Sequence, residues 1–369
     1  MRMNILYFFA ELPTPMFTWQ HIHIFDELER TGVHFDIFNP LKYETVDQAN
    51  EELIKVADPS KYNMFFTASF PDHLYKSSVE VIKKKGIPTV LVSWDNLELP
   101  YLHKGNVTAF DVVWVTSQET KYLFEQWGCK KVIFQTYAAN PFKFVPNNKE
   151  LIPSIGFIGS PYGSRTNIIN CIIDSGVECN VYSNALFSAG YNSSLGRKQT
   201  YSLYKVLRKM NNYLRFEIGR KVLYSTLINK LYKSASLHSD CVNFHAFKSV
   251  SDEEMVALYS NFALSLNIAE LRDTGILKNP VNKVHLRSFE IPMSGGLQFV
   301  RYFDEMAEYF EDGKEIVFYR DEQDMIEKAK YYLDPKHESE IQSMKLAARK
   351  RATNEHTWTL RFNKLFAEL

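Results

Sequence analysis

Two stretches of this chain combine glycine, cations and a carboxylate at spacings that can do chemistry. The first is Gly156-Phe157-Ile158-Gly159-Ser160, followed by Pro161, Tyr162, Gly163, Ser164 and Arg165. A strand running into a glycine-bearing loop and then a helix presents backbone N–H groups and a positive helix end to a phosphate. Arg165 adds a cation able to grip two phosphate oxygens at once. The second is Arg287-Ser288-Phe289-Glu290, then Ile291, Pro292, Met293, Ser294, Gly295, Gly296 and Leu297. Ser294-Gly295-Gly296 ahead of an apolar run reads as another anion-ready helix start. Glu290 can accept two hydroxyl hydrogen bonds, as a ribose requires. Each stretch also has an ordinary reading. The first can be a tight strand–helix turn with a surface arginine. The second can be a Schellman-type turn with an Arg287–Glu290 ion pair.

Other motifs are missing. The sequence has no G-x-x-x-x-G-K-[ST] loop, no G-x-G-x-x-G fingerprint and no G-x-S-x-G elbow, which removes the main support for P-loop, dehydrogenase and hydrolase chemistry. No D-x-D triplet occurs, so the usual divalent clamp for a nucleotide diphosphate is absent and no metal is expected. Cys129, Cys171, Cys179 and Cys241 form no CxxC pair, which fits a reducing compartment. His21 and His23 flank a helix start, where histidine usually caps or faces solvent.

The elements that must position these groups alternate. Asn4–Phe9, Val33–Phe38, Met64–Ala68, Thr89–Trp94, Val112–Thr116 and Lys131–Gln135 read as strands. Trp19–Arg30, Leu74–Lys85 and Glu119–Trp127 read as helices, while the prolines in Ala10–Thr18 argue against regular helix there. Strand–helix alternation predicts a parallel sheet covered on both faces. Pro141, Pro146 and Pro153 with Asn147-Asn148-Lys149 mark a linker. A second α/β unit follows: strands at Ser154–Ile158, Glu178–Ser183, Val242–Phe244 and Phe262–Ile268, and helices at Thr166–Ser175, Asp252–Ser260, Leu297–Phe303, Glu322–Leu333 and Glu338–Asn354. We expect a boundary at 147/148, a second domain over 148–350, and a C-terminal helix over 351–369 packing back toward the first domain.

The 369 residues carry 43 Lys and Arg against 43 Asp and Glu, and 45% are apolar. That balance suits a globular protein and argues against wholesale polyanion binding, so nucleic acid is disfavoured as a partner. The apolar run Ile5–Ala10 is too short for a secretory signal, and no stretch reaches the roughly 18 apolar residues of a membrane span. A cytoplasmic protein is expected, either free or peripheral at the inner face of a membrane. The exception to the charge balance lies at 196–234, where ten basic residues accompany the single acid Glu217, with Tyr and Phe interleaved. Such a helical insert can lie on an anionic membrane. It can equally pack its aromatics on the second domain, with Leu203, Val206, Leu207, Leu214, Ile218, Val222 and Leu223 as a core-facing stripe.

Taken in order, these residues resemble a GT-B glycosyltransferase, and more narrowly the CgeB-like (spore-maturation type) branch of the group 1 glycosyltransferases. The resemblance covers nearly the whole chain. It is firmest at Leu286-Arg287-Ser288-Phe289-Glu290 through Gly295-Gly296, at Phe310-Glu311-Asp312-Gly313-Lys314-Glu315-Ile316, and at His356-Thr357-Trp358-Thr359-Leu360-Arg361. It implies an α/β fold of two Rossmann-like, doubly wound parallel-sheet domains facing a cleft. It also implies transfer of a sugar from a nucleotide-diphosphate donor, a UDP-sugar first, to a glycan, lipid-linked or protein acceptor, with no cofactor and retention of configuration.

In such proteins a Gly-Arg motif followed by Lys holds the diphosphate. Gly159-Ser160 and Arg165 occupy those positions here, so one of two cations is missing. Ser294, Gly295, Gly296 and Leu297 join this diphosphate group. A paired-glutamate motif holds the donor: Glu290 matches the ribose-binding member, and Asn282 stands where the other is expected. Phe247 and Lys248 fall in the base-binding loop, and Asn267 ends a strand bordering the donor. Trp94, Asn282 and Arg287 are implied near the donor sugar. Trp94 replaces a histidine, and Asp95, beside it, matches the pattern. The implied catalytic pair is Asp95 and Glu290, with Glu11 and His21 on the acceptor side. The losses at Ser160, Asn282 and Trp94 keep open a non-catalytic nucleotide-sugar-binding partner subunit. A nucleic-acid glycosyltransferase is a weaker alternative, suggested by the basic insert.

Overall fold

The structure, a computed structural model, describes residues 3–68, 72–147, 150–187, 203–232 and 236–369. The chain divides into two compact units, one of residues 1–143 and 356–369 and one of residues 144–355.

The first unit is a six-stranded sheet, β1 (Met3–Phe8), β2 (Val33–Phe38), β3 (Met64–Thr67), β4 (Thr89–Ser93), β5 (Val112–Val115) and β6 (Val132–Phe134), in the order β2-β1-β3-β4-β5-β6. All pairings are parallel. Every residue of β3, β4 and β5 is buried, which is why these strands read as unbroken apolar runs. After β1 come α1 (Pro15–Gln20), a π-helical turn at His21–Phe25, and α2 (Asp26–Arg30). The helix therefore starts inside the proline-bearing stretch: Pro15 sits in the first turn, where a missing N–H costs nothing. Helices α3 (Val46–Val56), α4 (Lys76–Lys84) and α5 (Lys121–Gln126) cover the sheet. α3 was not expected from the sequence.

The second unit contains β7 (Ile152–Ile158), α6 (Arg165–Asp174), β8 (Cys179–Tyr182), α7 (Leu203–Leu214), α8 (Glu217–Tyr232), β9 (Phe244–Phe247), α9 (Asp252–Asn261), β10 (Phe262–Asn267), α10 (Arg287–Met293), β11 (Gln298–Arg301), α11 (Asp304–Ala307), β12 (Val317–Tyr319), α12 (Glu322–Leu333) and α13 (Glu338–Glu355). Its sheet order is β12-β11-β10-β7-β8-β9, again all parallel. Ile155 and Phe157 of β7, Leu264 and Leu266 of β10, and Ile169, Ile172 and Ile173 of α6 share its core. Strand order reverses at β7, with β8 and β9 on one side and β10 to β12 on the other. Sheets of this kind bind ligands at such a switch point, beyond the carboxyl ends of the strands.

One expected helix is wrong. Residues 297–303 hold strand β11, whose Phe299 and Val300 are fully buried. A short apolar run has no period that separates buried strand from buried helix. Arg287–Met293, expected as the approach to a turn, is helix α10.

The chain then returns to the first unit as α14 (Trp358–Phe366). Glu27, on α2 and only 1% exposed, caps this helix: its carboxylate accepts from the N–H groups of Trp358 and Thr359 and from the Thr359 hydroxyl. Arg361 donates to the Thr136 and Tyr137 carbonyls, and Trp358 packs among Trp19, Trp94 and Trp114.

Candidate active site

In the second unit the switch point is built around Gly159, the residue after β7. Its φ is +155°, a region that side chains rarely enter. A Cβ there would stand 2.8 Å from Nη2 of Arg287. The Arg287 guanidinium, reaching over from the start of α10, thus lies directly against the Gly159 backbone. The Gly159 N–H is already donated to the Tyr182 carbonyl at 3.1 Å. It belongs to the sheet, so the expectation that it faces a phosphate fails.

Arg165 opens α6, a helix of ten residues. Its guanidinium lies over the Tyr162 ring at 4.5 Å and donates from Nη1 to the Ser160 carbonyl at 3.4 Å. Its Nε is buried without a partner among the described residues. Burial lowers its pKa, as does the charge of Arg287, while Tyr162 and Glu270 act in the opposite sense. Two guanidinium groups near one helix N-terminus repel each other unless an anion sits between them. The sequence assigned one cation to the diphosphate and placed Arg287 near the sugar; the structure puts Arg287 against Gly159 and Arg165 at the next carbonyl, that of Ser160.

Glu290 is three residues after Arg287 on α10, hence on the same face, and is 7% exposed. Both side chains act on the phenol of Tyr259, whose pKa rises first through burial and further through Glu290, with Arg287 opposing. The ribose candidate and the diphosphate candidate therefore stand beside one buried ring.

Asn282, the position without its expected acid, is paired across an antiparallel bridge with Glu270. Flanking bonds run from the Leu271 N–H to the Val281 carbonyl and from the Lys283 N–H to the Ala269 carbonyl, at 2.7 and 2.9 Å. Glu270 is 2% exposed, and no side chain among the described residues hydrogen-bonds its carboxylate oxygens. Burial raises its pKa, and the nearby Arg301 and Arg165 counteract this. The closest ion-pair approach is 4.0 Å, from Arg301. A carboxylate thus stands opposite position 282. Sequence reasoning missed it, although a lone acid directly after the apolar run of β10 was the available signal. His285, also missed, is half-buried, with its Nε2 enclosed and unpartnered among the described residues. Burial, then Arg287, Arg165 and Lys283, hold its pKa well below the ordinary value, so the ring is neutral.

At the carboxyl ends of β8 and β9 the rings of Tyr182 and Phe247 stack at 4.6 Å and 15°. Phe247 is 41% exposed, leaving an aromatic face for a flat base beside Gly159. The Phe247 carbonyl is taken by the Ser183 N–H. Lys248 is exposed next to it.

Other expectations move elsewhere. Ser294-Gly295-Gly296 closes α10 instead of opening a helix: Gly295 has φ +75°, and the Gly296 N–H returns to the Ile291 carbonyl at 2.9 Å, a Schellman-like cap. These residues and Leu297 lie at the amino end of β11, opposite to the end of a parallel sheet where Gly159 and Arg165 stand. Asn267 has its side chain wholly inside, donating to Gln298 at 2.7 Å and to Ser288 at 3.4 Å; it ties β10 to β11 and α10 instead of facing a nucleoside. Among the described residues no group of three His, Cys, Asp or Glu side chains is placed to hold a metal ion.

In the first unit, Glu11 and His21 come together after β1, with Oε1 and Nε2 3.8 Å apart, and Glu11 also accepts from Asn39 at 3.3 Å. The π-helical turn, a feature common at functional sites, sends His21 toward Glu11 and His23 toward Trp358. Asp95 is exposed in the turn after β4, at the same carboxyl edge. Trp94 is packed against Trp19, Trp114, Tyr137 and Trp358 at 5.3–5.9 Å, which makes it an anchor of that cluster and not a free sugar contact.

With this geometry in place, comparison with known proteins gives three results. The family described as glycosyl transferase-like matches residues 203–367. Curated protein sequences give no match. Solved structures match along the whole chain. Anabaena HepE in complex with UDP-glucose shares 10% identity, with 100% of each chain covered and a TM-score of 0.58. An alpha-glucosyltransferase in complex with UDP and a 13-mer DNA containing an HMU base shares 12% identity, with 100% and 99% covered and a TM-score of 0.61. A glycosyltransferase from Rickettsia africae shares 12% identity, with 99% and 97% covered and a TM-score of 0.60. The fold is GT-B. At these identities the likeness is one of fold, and the GT-B label covers both units: two six-stranded parallel sheets flanked by helices. The matched family segment includes Glu270, Arg287 and Glu290 but begins after Gly159 and Arg165.

Proposed function

We propose that this protein is a glycosyltransferase that takes a sugar from a nucleotide-diphosphate donor, a UDP-sugar first among the candidates. The observation that carries the reading is the approach of Arg287 to Gly159 and of Arg165 to the adjoining Ser160 carbonyl, where the strand order of the second unit's parallel sheet reverses. Negative charge develops on the leaving nucleoside diphosphate as the glycosidic bond breaks. Fixed guanidinium groups in a water-poor site stabilise that charge without reorganising. They supply the positive charge that a divalent ion provides elsewhere, so activity should survive EDTA. Glu290 accepts the ribose hydroxyls, and the Tyr182–Phe247 stack carries the base. Glu270 takes the place of the acid absent at Asn282. Glu11, His21 and Asp95 serve the acceptor, a glycan, lipid-linked or protein hydroxyl, and transfer retains configuration. The CgeB-like branch stays part of this proposal.

The test is a thermal-shift screen of UDP, GDP, ADP, CDP and dTDP with their sugars. A ligand at about 100 times its Kd adds roughly 2.7 kcal/mol to stability. UDP should stabilise the wild type and not the Arg165→Ala/Arg287→Ala double variant. Equal stabilisation of both proteins, or no response to any nucleotide, removes the assignment.

A further inference from the structure

The basic insert is the one strongly charged segment that the donor site leaves unused. Its described part is the hairpin α7–α8. One face of α8 is fixed to the second unit: Ile218, Val222 and Ser225 are buried, and Asn229 donates to Asp273 at 3.0 Å. The opposite face is apolar as well. Tyr224, Leu227 and Leu231 recur at helical spacing there, and Leu231 is 71% exposed. On α7, Val206, Leu207, Met210 and Leu214 form a second exposed stripe, within about 100° of arc at 100° per residue. The core-facing stripe expected from the sequence is therefore split. Ile218 and Val222 go inward with Tyr213 and Phe216, while Val206, Leu207 and Leu214 face out. A helix apolar on two opposite faces, one of them already packed, has a second surface to cover.

The charges say with what. Arg208, Lys209, Arg215, Arg220 and Lys230 are exposed around these stripes. The single acid, Glu217, is held by Lys221 at 2.8 Å. Arg197, Lys198 and Lys233 lie outside the described residues, as does the side chain of Lys205. Leucine and methionine flanked by arginine and lysine match the acyl boundary and the anionic head groups of a bilayer. A nucleic acid offers phosphates for the cations and nothing for the leucines.

We propose that the α7–α8 hairpin docks this protein on an anionic lipid surface, with Leu207, Met210, Leu214, Leu227 and Leu231 at the acyl boundary and the basic side chains among the head groups. This goes beyond the donor-site reading and does not depend on it. The test is flotation of the full chain with phosphatidylcholine vesicles containing 30% phosphatidylglycerol, against pure phosphatidylcholine. Binding to the anionic vesicles only is expected, falling at least tenfold in 0.5 M NaCl, where the Debye length is roughly 4 Å. Arg208→Glu/Arg220→Glu should lower the partition coefficient by about fivefold or more per residue. Leu227→Asp/Leu231→Asp should abolish binding while the melting curve and the response to UDP stay as in the wild type. Three results overturn the proposal: equal or no binding to the two vesicle types; binding to a DNA duplex that survives Leu227→Asp/Leu231→Asp; or a concentration-dependent dimer that this variant breaks, without vesicle binding. UDP response is read separately in every arm, so failure here is distinguishable from failure of the donor site.

Discussion

Replacing Arg287 by alanine removes one of the two guanidinium groups beside Gly159 and leaves Arg165 as the sole cation there. A hydrogen bond to a charged partner contributes roughly 1.5–3 kcal/mol, which converts to about a ten- to 150-fold loss in kcat/KM at 1.36 kcal/mol per decade. The structure adds a second route to the same defect. A Cβ at Gly159 would stand 2.8 Å from Arg287 Nη2, so Gly159→Ala displaces the guanidinium and should match Arg287→Ala within a few-fold. Arg287→Lys keeps the charge but loses the planar fork and should fall between. If both cations grip one ligand, as proposed, the Arg165→Ala and Arg287→Ala effects should not add. Calorimetric titration with UDP and donor-hydrolysis rates read these effects. UDP affinity within twofold of wild type in both Arg287→Ala and Gly159→Ala, with folding intact, would show that Arg287 does not hold the diphosphate.

Other consequences follow from burial. The pKa of Glu270 is raised in the folded state, so ionising it costs stability as pH climbs above the unfolded value of about 4.3. Glu270→Gln should melt at or above the wild type at pH 7–8, the difference shrinking toward pH 4.5, while UDP binding changes; a difference that does not vary with pH counts against this. Burial pushes His103 down to about 4, so protons favour the unfolded state below about pH 6.5 and stability falls as pH drops. His103→Gln should flatten that slope in thermal melts. Glu27→Ala uncaps α14 and strands buried donors, costing roughly 1–3 kcal/mol in denaturant unfolding, with Glu27→Gln recovering part of it. Phe247→Ala removes the exposed ring of the base platform, and a loss of roughly 0.5–1.5 kcal/mol should weaken UDP by about three- to tenfold, with Phe247→Tyr near wild type.

What could be read from the chain and what could not divides along locality. Val33–Phe38 and Glu322–Leu333 have the same bounds in sequence and structure, because a short β-branched and aromatic run behind a glycine and an amphipathic helix announce themselves within their own residues. β11 did not, since a short apolar run lacks a period. The proposed donor site depends on longer range. Arg165 and Glu290 were singled out from loop and helix chemistry. The approach of Arg287 to Gly159 was not legible, because Gly159 follows β7 and Arg287 opens α10, 128 residues later. Glu270 was invisible because its significance comes from the bridge to Asn282. Ser294-Gly295-Gly296 misled for the converse reason. Glycines ahead of an apolar run fit a helix start and a helix stop equally, and only the direction of the next element decides.

The most direct measurement of the central claim is a crystal structure of the chain with UDP. Diphosphate oxygens are expected within hydrogen-bonding distance of both Arg165 and Arg287, with the ribose hydroxyls on Glu290 and the uracil against Phe247. A diphosphate bound at Ser294-Gly295-Gly296, or anywhere that leaves Arg165 and Arg287 without it, would rule out this donor site.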